Sequence, residues 1–294
     1  MTVRFPGRLY QKTGTHQSND LCYRAGSAGR TIYRRNRKRP DSVWSKTDPV
    51  TVLSTEWLYY HLDLGVECTV LMVCDLLGQN CRLHQYNCTL ERDTAIDFLL
   101  QIIQNQIRLL PATPFGVVGI GIGIHGTVCR NEITFTPNYH LADLPIVDVL
   151  TDALDIPVWL ENEANLSALA EKTFVENHEN LIHVSIHAGV GAGIILDHHL
   201  YTGFAGTAGE AGHMIVQPGG RSCPCGNHGC LEQYISEPAV LSRYQELSGR
   251  TTVSIDDLVW SYNQKEADAL AVVDEFTTYL ACGINNLWNL FSPE

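Results

Sequence analysis

From residue 58 onward the chain alternates short apolar runs with turn residues, and the hydrophobic period switches between that of strands and that of helices. Residues 58–64, 70–76 and 82–89 read as three strands, set apart by Gly65-Val66-Glu67 and Leu77-Gly78-Gln79. Ala95, Phe98, Leu99, Ile102, Ile103, Ile107 and Leu110 recur at helical spacing, which predicts a helix over 93–110 that Pro111 and Pro114 end. The unbroken apolar run 117–124 predicts a strand buried on both faces. A helix over 146–154, a short strand over 157–160 and a helix over 163–174 follow, the last with Asn162 as its N-cap. Strands are predicted over 180–185 and 192–197, with His198-His199 turning into a hairpin partner. Beyond residue 232 the pattern is helical, over 232–235, 238–248, 255–262 and 266–290. This order, repeated in looser form, predicts an α/β protein of two related lobes, 56–161 and 162–294, with a ligand cleft between them.

Residues 1–55 show no such period. The first fifty hold eleven Lys/Arg against three acidic residues, whereas the rest of the chain holds nine against twenty-nine. The run at 30–40, RTIYRRNRKRP, has no apolar stripe, so the stretch reads as a solvated basic arm. A helix-turn-helix needs two or three amphipathic helices, which are not recognisable here. An acidic body repels nucleic acid, so only the arm could meet it electrostatically. No run of about 18 apolar residues predicts a membrane span, and no secretory h-region stands at the start. Ten cysteines without an export signal predict a reducing cytoplasm, where clustered thiols hold metal more often than they pair.

Four possible ligands fall within eighteen residues: His213, Cys223, Cys225 and Cys230. Glycines 219, 220, 226 and 229 lie between them and permit sharp turns. Neutral imidazole and three thiolates suit tetrahedral Zn²⁺, and four protein ligands leave no open position for a catalytic water. The metal is therefore expected to be structural. The alternative is a Gly-rich loop of reduced, unliganded cysteines. Cys68, Cys74, Cys81 and Cys88 read as small core residues of the first strands, and Trp288 and Phe291 as core residues of the last helix.

A second constellation, Glu161-Asn162-Glu163-Ala164-Asn165, lies at a strand-to-helix corner. An amide beside a carboxylate can hydrogen-bond the hydroxyls of a polyol, and plain helix capping explains the same residues equally well. Glu210 and Glu232 flank the metal set, so a rigid loop could present both to a sugar.

Gly209-Glu210-Ala211-Gly212-His213 followed by Cys223-Pro-Cys225-Gly-Asn-His-Gly-Cys230-Leu-Glu232 resembles the signature of the ROK family, which groups bacterial sugar kinases with sugar-responsive repressors. Gly121-Ile-Gly-Ile-His-Gly126, the corner at 161–165 and Gly189-Val-Gly-Ala-Gly193 support the resemblance, which covers roughly 56–294. It implies an actin-like (ribonuclease-H-like, sugar-kinase-like) pair of α/β lobes with a zinc-stabilised loop. It further implies structural zinc on His213, Cys223, Cys225 and Cys230, a sugar site lined by Gly126, Asn162, Glu163, Glu210, His213 and Glu232, and a homodimer. Repressors of the family bind DNA through a winged helix-turn-helix before the first lobe, and residues 1–50 do not read as one. Members also run on beyond the equivalent of residue 293, so the resemblance implies a chain truncated at both ends, its C-terminal part incomplete.

Departures from the family's kinases bear on activity. Kinases carry D-x-G-G-T after the first strand, where small residues and a hydroxyl approach ATP phosphates; here Asp63-Leu-Gly65-Val66-Glu67 brings bulk and a negative charge. Like charges about 4 Å apart near a protein surface cost on the order of 4 kcal/mol. The second phosphate loop opens with His187-Ala188 and lacks the kinase hydroxyl, and Glu163 stands where kinases have an Asp base. Glu163 would be catalytic only in a kinase. N-E-A-N at 162–165 resembles the xylose-repressor branch. The expectation is the sugar-sensing effector domain of a ROK-type transcriptional regulator, similar to xylose and N-acetylglucosamine repressors, that binds a monosaccharide or derivative without phosphorylating it. The alternative is a glucokinase-like ROK sugar kinase.

Overall fold

The computed structural model describes residues 21–24, 31–34 and 58–294, apart from 111, 112, 114, 138 and 176. Strands β1 (Leu21–Arg24) and β2 (Thr31–Arg34) pair antiparallel, in a stretch where the hydrophobic pattern predicts no element. The remainder of the arm at 1–55, including any contact with DNA, lies outside the described residues.

Strands β3 (Leu58–Leu64), β4 (Cys68–Asp75) and β5 (Arg82–Asn87) form an antiparallel meander. β6 (Val117–Ile124) runs parallel to β3. A short hairpin, β7 (Thr127–Cys129) and β8 (Glu132–Phe135), precedes β9 (Val158–Asn162), which is parallel to β6. The resulting mixed five-stranded sheet has the order β5-β4-β3-β6-β9. Ile120, Ile122 and Ile124 of β6 are fully buried and share one core with Leu62, Leu64 and Leu71. Helices α1 (Ala95–Leu109) and α2 (Ile146–Leu154) close that core through Leu99, Ile103, Ile146 and Leu150. Burial of each such side chain contributes about 1.5–3 kcal/mol. On the other face, Gly119 and Gly121 make room for Tyr59. A Cβ at Gly119 would lie 2.7 Å from the Tyr59 ring, and one at Gly121 would lie 2.6 Å from its hydroxyl.

The predicted helix over 163–174 is found in two parts. α3 (Glu163–Ala170) is regular, and a π-helical turn (Glu171–Val175) follows it. β10 (Leu181–Ile186), β11 (Val190–Leu196) and β12 (His199–Leu200) form a second antiparallel meander, which echoes β3–β5. α3 lies on it so closely that a Cβ at Gly193 would stand 2.1 Å from the Ala164 carbonyl oxygen. α4 (Glu232–Ile235), α5 (Glu237–Ser248), α6 (Ile255–Asn263) and α7 (Ala267–Phe291) follow. Ser236 caps α5, and Ser254 with Asp257 forms a capping box on α6.

Two expectations fail on burial. Cys81 is exposed rather than in the core, because it lies in the turn before edge strand β5. Trp288 is 55% exposed, while Phe291, on the same helix, packs against the cluster of Ala192, Ala211 and Leu287. Among the described residues no helix is long and apolar enough to cross a membrane.

Candidate functional site

The β9–α3 corner is built by side chains bonding the backbone. Asn162 Oδ1 accepts from the amides of Ala164 (2.9 Å) and Asn165 (3.2 Å), which is the capping expected of it. Its Nδ2 donates to the Gly126 carbonyl at 2.8 Å, tying the end of β6 to the start of α3. Glu161 Oε1 accepts from the Asn162 amide and from Asn165 Nδ2, so this carboxylate is a brace of the corner. Glu163, in the first turn of α3, accepts a 2.6 Å hydrogen bond from the Ser185 hydroxyl on β10.

His125 completes this group, at the end of β6. Its Nδ1 lies 3.8 Å from Glu163 Oε1 and its Nε2 lies 3.5 Å from Asp63 Oδ1. The Asp63 carboxylate beside it raises the proton affinity of the imidazole above its ordinary value; burial opposes this, and the charge of Glu163 adds to it. The Tyr139 hydroxyl accepts from the His125 amide at 3.1 Å and donates to the Leu64 carbonyl at 2.5 Å, which holds the two strand ends together. Beside them opens a cleft of about 600 Å³ lined by residues that include Asp63, Val66, Glu67, His125, His187 and Glu237. None of the six expected sugar-site residues lines this cleft; Glu163 touches it through His125.

The four expected metal ligands do converge. The donor atoms of His213, Cys223, Cys225 and Cys230 all lie within 4.8 Å of one another. Cys225 Sγ is 3.7 Å from Cys230 Sγ, and Cys223 Sγ is 3.7 Å from His213 Nδ1. A tetrahedron with metal–sulfur bonds of about 2.3 Å has edges of roughly 3.8 Å, which the two 3.7 Å separations match, so the donor set could hold Zn²⁺. Gln233 Nε2 reaches Cys223 Sγ at 3.6 Å, and the Asn227 amide holds the Cys225 thiol below its usual range. Gly229, at φ +86°, lets the loop fold onto Gln217, whose carbonyl oxygen would stand 1.7 Å from an added Cβ.

The loop also gathers carboxylates. With Nδ1 facing Cys223, His213 directs Nε2 towards Glu210, 3.9 Å away. Burial raises the Glu210 carboxyl above its usual range; His213 opposes the shift and Glu232 adds to it. Glu232 Oε2 accepts from the Val190 amide at 3.1 Å. The structure thus forms one group from Gly126, Asn162 and Glu163 and another from Glu210, His213 and Glu232. The strand pair β10–β11 joins them, through Ser185 to the first and Val190 to the second.

Residues 59–294 match the model of one protein family, described as the ROK family. The chain belongs to the ROK family. It is 36% identical over 238 residues to the xylose repressor of Bacillus spizizenii, which covers 79% of this chain and 61% of that one. It is 31% identical over 196 residues to a glucokinase of Halalkalibacterium halodurans, covering 60% and 59%. The chain therefore spans about three fifths of the length of these curated relatives. Among solved structures, a ROK family transcriptional regulator described as a homologue of the E. coli MLC protein superposes with a TM-score of 0.73 at 29% identity, over 82% of this chain and 64% of that one. The ROK family glucokinase of Streptomyces griseus, solved with glucose and AMPPNP, gives 0.71 at 25% identity over 80% of each chain. The α/β fold with its mixed sheet is that of ROK proteins, sugar kinases and regulators alike.

Sequence reasoning missed His125, Ser185, Tyr139 and Glu237. His125 lies inside the glycine run quoted for the family resemblance, and its position directly after a buried strand was the available signal.

Proposed function

We propose that this chain is the sugar-sensing part of a ROK-type transcriptional regulator, which binds a monosaccharide and does not phosphorylate it. The charge of the cleft carries this reading. Among the described residues its walls bring the carboxylates of Asp63, Glu67 and Glu237 together with no lysine or arginine. A polyanionic nucleotide entering there meets like charges, each pair costing on the order of 4 kcal/mol at about 4 Å near the surface. Val66 fills a place where close approach to phosphate favours glycine. Glu163 has a Ser185 hydroxyl on one oxygen and His125 nearby, so its carboxylate is braced before any substrate arrives.

In this reading Gly126, Asn162, Glu163, Glu210, His213 and Glu232 line the sugar site. Asn162 spends its oxygen on capping and one N–H on Gly126, which leaves one N–H for a sugar hydroxyl. Carboxylates of Glu163, Glu210 and Glu232 accept from other hydroxyls. Structural Zn²⁺ on His213, Cys223, Cys225 and Cys230 fixes the loop between Glu210 and Glu232. The lobes meet near residue 162, and DNA binding and homodimerisation belong to the whole regulator. Xylose is the first effector to test, because relatives at 36% identity are xylose repressors. The alternative, an ATP-dependent ROK hexokinase with Glu163 as base, draws its support from the likeness to the S. griseus glucokinase.

The two readings separate in one experiment. Unfolding is followed with xylose, glucose and N-acetylglucosamine, with and without ATP, while ADP release is measured. The sensor reading expects stabilisation by one sugar of about 2.7 kcal/mol at a hundredfold excess over its Kd, with no ADP. Sugar-dependent ADP release would overturn it.

A further inference from the structure

Cys74 and Cys81 face each other across the closed end of the β4–β5 hairpin. The ladder ends with Val73 opposite Arg82, and Cys74 and Cys81 are the next residues on its two sides, before Asn80 at φ +57° and the Asp75 amide bonded to the Gln79 carbonyl shift the register in the turn. The Cys88 amide donates to the Glu67 carbonyl at 3.0 Å, which makes Glu67 and Cys88 a hydrogen-bonded pair. Alternation carried one step past the end of the ladder gives Cys74 and Cys81 the place of a non-hydrogen-bonded pair. At such pairs the Cα atoms stand about 4.5 Å apart and both side chains leave from one face, within the span that a disulfide bridges.

The two thiols differ in access. Cys74 is 7% exposed, its sulfur 4.0 Å from the Tyr59 carbonyl. Cys81 is exposed, its sulfur 3.3 Å from the Gly78 carbonyl. Burial, then the neighbouring Cys81, push the Cys74 thiol up to about 11. Neither belongs to the metal set at 213–230.

We propose that Cys74 and Cys81 form a redox site, which a low-molecular-weight disulfide converts to an intramolecular disulfide pinning edge strand β5 to β4. The exposed Cys81 thiolate attacks one sulfur of the small disulfide, whose S–S bond breaks. One small thiolate leaves and is protonated, and Cys81 carries the other half as a mixed disulfide. Cys74 then gives its proton to water and attacks the Cys81 sulfur, expelling the second small thiolate. The protein loses two electrons and two protons, and the small disulfide becomes two thiols. The turn so pinned abuts the π-helical segment after α3, since a Cβ at Gly78 would lie 3.0 Å from the Phe174 ring. The site is independent of whether the chain senses or phosphorylates a sugar.

The full chain, kept in zinc-containing buffer, is equilibrated with glutathione and glutathione disulfide over a range of ratios. Free thiols are alkylated and the peptides mapped by mass. The expected product joins the Cys74 and Cys81 peptides with loss of two hydrogens and is reversed by dithiothreitol. Cys81→Ser should lower oxidation of Cys74 more than tenfold, and Cys74→Ser should leave a lasting glutathione adduct on Cys81. Complete alkylation of both cysteines in the oxidised wild type, a lasting adduct on wild-type Cys81, or a bond from Cys81 to another cysteine overturns the proposal. Where Cys74→Ser fails to fold, the wild type and the exposed-site variant Cys81→Ser decide.

Discussion

His125 Nε2 stands 3.5 Å from Asp63 Oδ1, so the imidazole at the end of β6 is held against the carboxylate at the end of β3. Glu163 faces the other ring nitrogen, His187 meets the ring edge-on with centroids 6.5 Å apart, and Glu67 and Glu237 share the cleft. The folded state raises the proton affinity of His125 above the ordinary value of 6.5, so protonation favours folding. That contribution is complete below about pH 6.5 and is lost as pH rises through the raised folded value. Asp63→Asn removes the main cause of the shift. Urea midpoints of wild type and Asp63→Asn, measured from about pH 6 to about pH 8, should converge as pH rises. A constant gap across that range would contradict the pairing.

Cys225→Ser removes one of four converging donors. Zinc content, measured by atomic absorption on the purified chain, should fall from about one per chain towards zero, with sugar affinity falling at least tenfold alongside it. Full zinc occupancy would remove Cys225 from the ligand set.

Glu210→Gln keeps the shape of the loop and removes a carboxylate that lies 3.9 Å from the far nitrogen of His213. Zinc should remain, and monosaccharide affinity should fall about tenfold or more for the loss of a charge-assisted hydrogen bond. Calorimetric titration with xylose checks this, and an unchanged affinity would take Glu210 out of the site.

Much of this architecture was legible because burial leaves a periodic trace. β3 and β6 have the bounds that their apolar runs predict: β6 is buried from Gly119 to Ile124, and β3 alternates buried and half-buried positions. The β7–β8 hairpin was not visible. Its strands are three and four residues long, too short for a period, and its turn places Arg130 as well as Asn131 at positive φ. The π-helical turn after α3 leaves no periodic signal, and the exposure of Cys81 and Trp288 depends on which neighbours the fold supplies. At the site, local chemistry was readable and long-range partnership was not. The cap at Asn162 and the donor set at 213–230 follow from residues close in the chain. His125 acquires its role only when β3 and α3 bring Asp63 and Glu163 to it.

Arg221 joins the metal-loop segment to α7. Its guanidinium pairs with Glu275, donates to the Gln233 carbonyl at 2.8 Å and lies 4.5 Å from the centroid of the Tyr234 ring, which stacks on Tyr279. Arg243 holds the other oxygen of Glu275 at 3.1 Å. Arg221→Ala should cost about 1–3 kcal/mol, read as a lower urea midpoint with unchanged slope. Because the cysteines stay, zinc content should change little.

Gly126 tests whether backbone contact shapes the proposed sugar site. A Cβ there would lie 2.3 Å from the Phe135 carbonyl oxygen and 3.0 Å from Thr136 Cγ2, closer than packing permits. Gly126→Ala must therefore push β8 away from the end of β6, moving the carbonyl that receives Asn162 Nδ2. Stability should fall by about 1–3 kcal/mol, and sugar affinity should fall as well because the β9–α3 corner shifts. Gly191→Ala is the control: its added methyl would meet Ala164 Cβ at 3.4 Å, an ordinary contact, and it should leave both quantities nearly unchanged. Equal losses in the two variants would mean that any added methyl near α3 is harmful, and the specific role of Gly126 would be withdrawn.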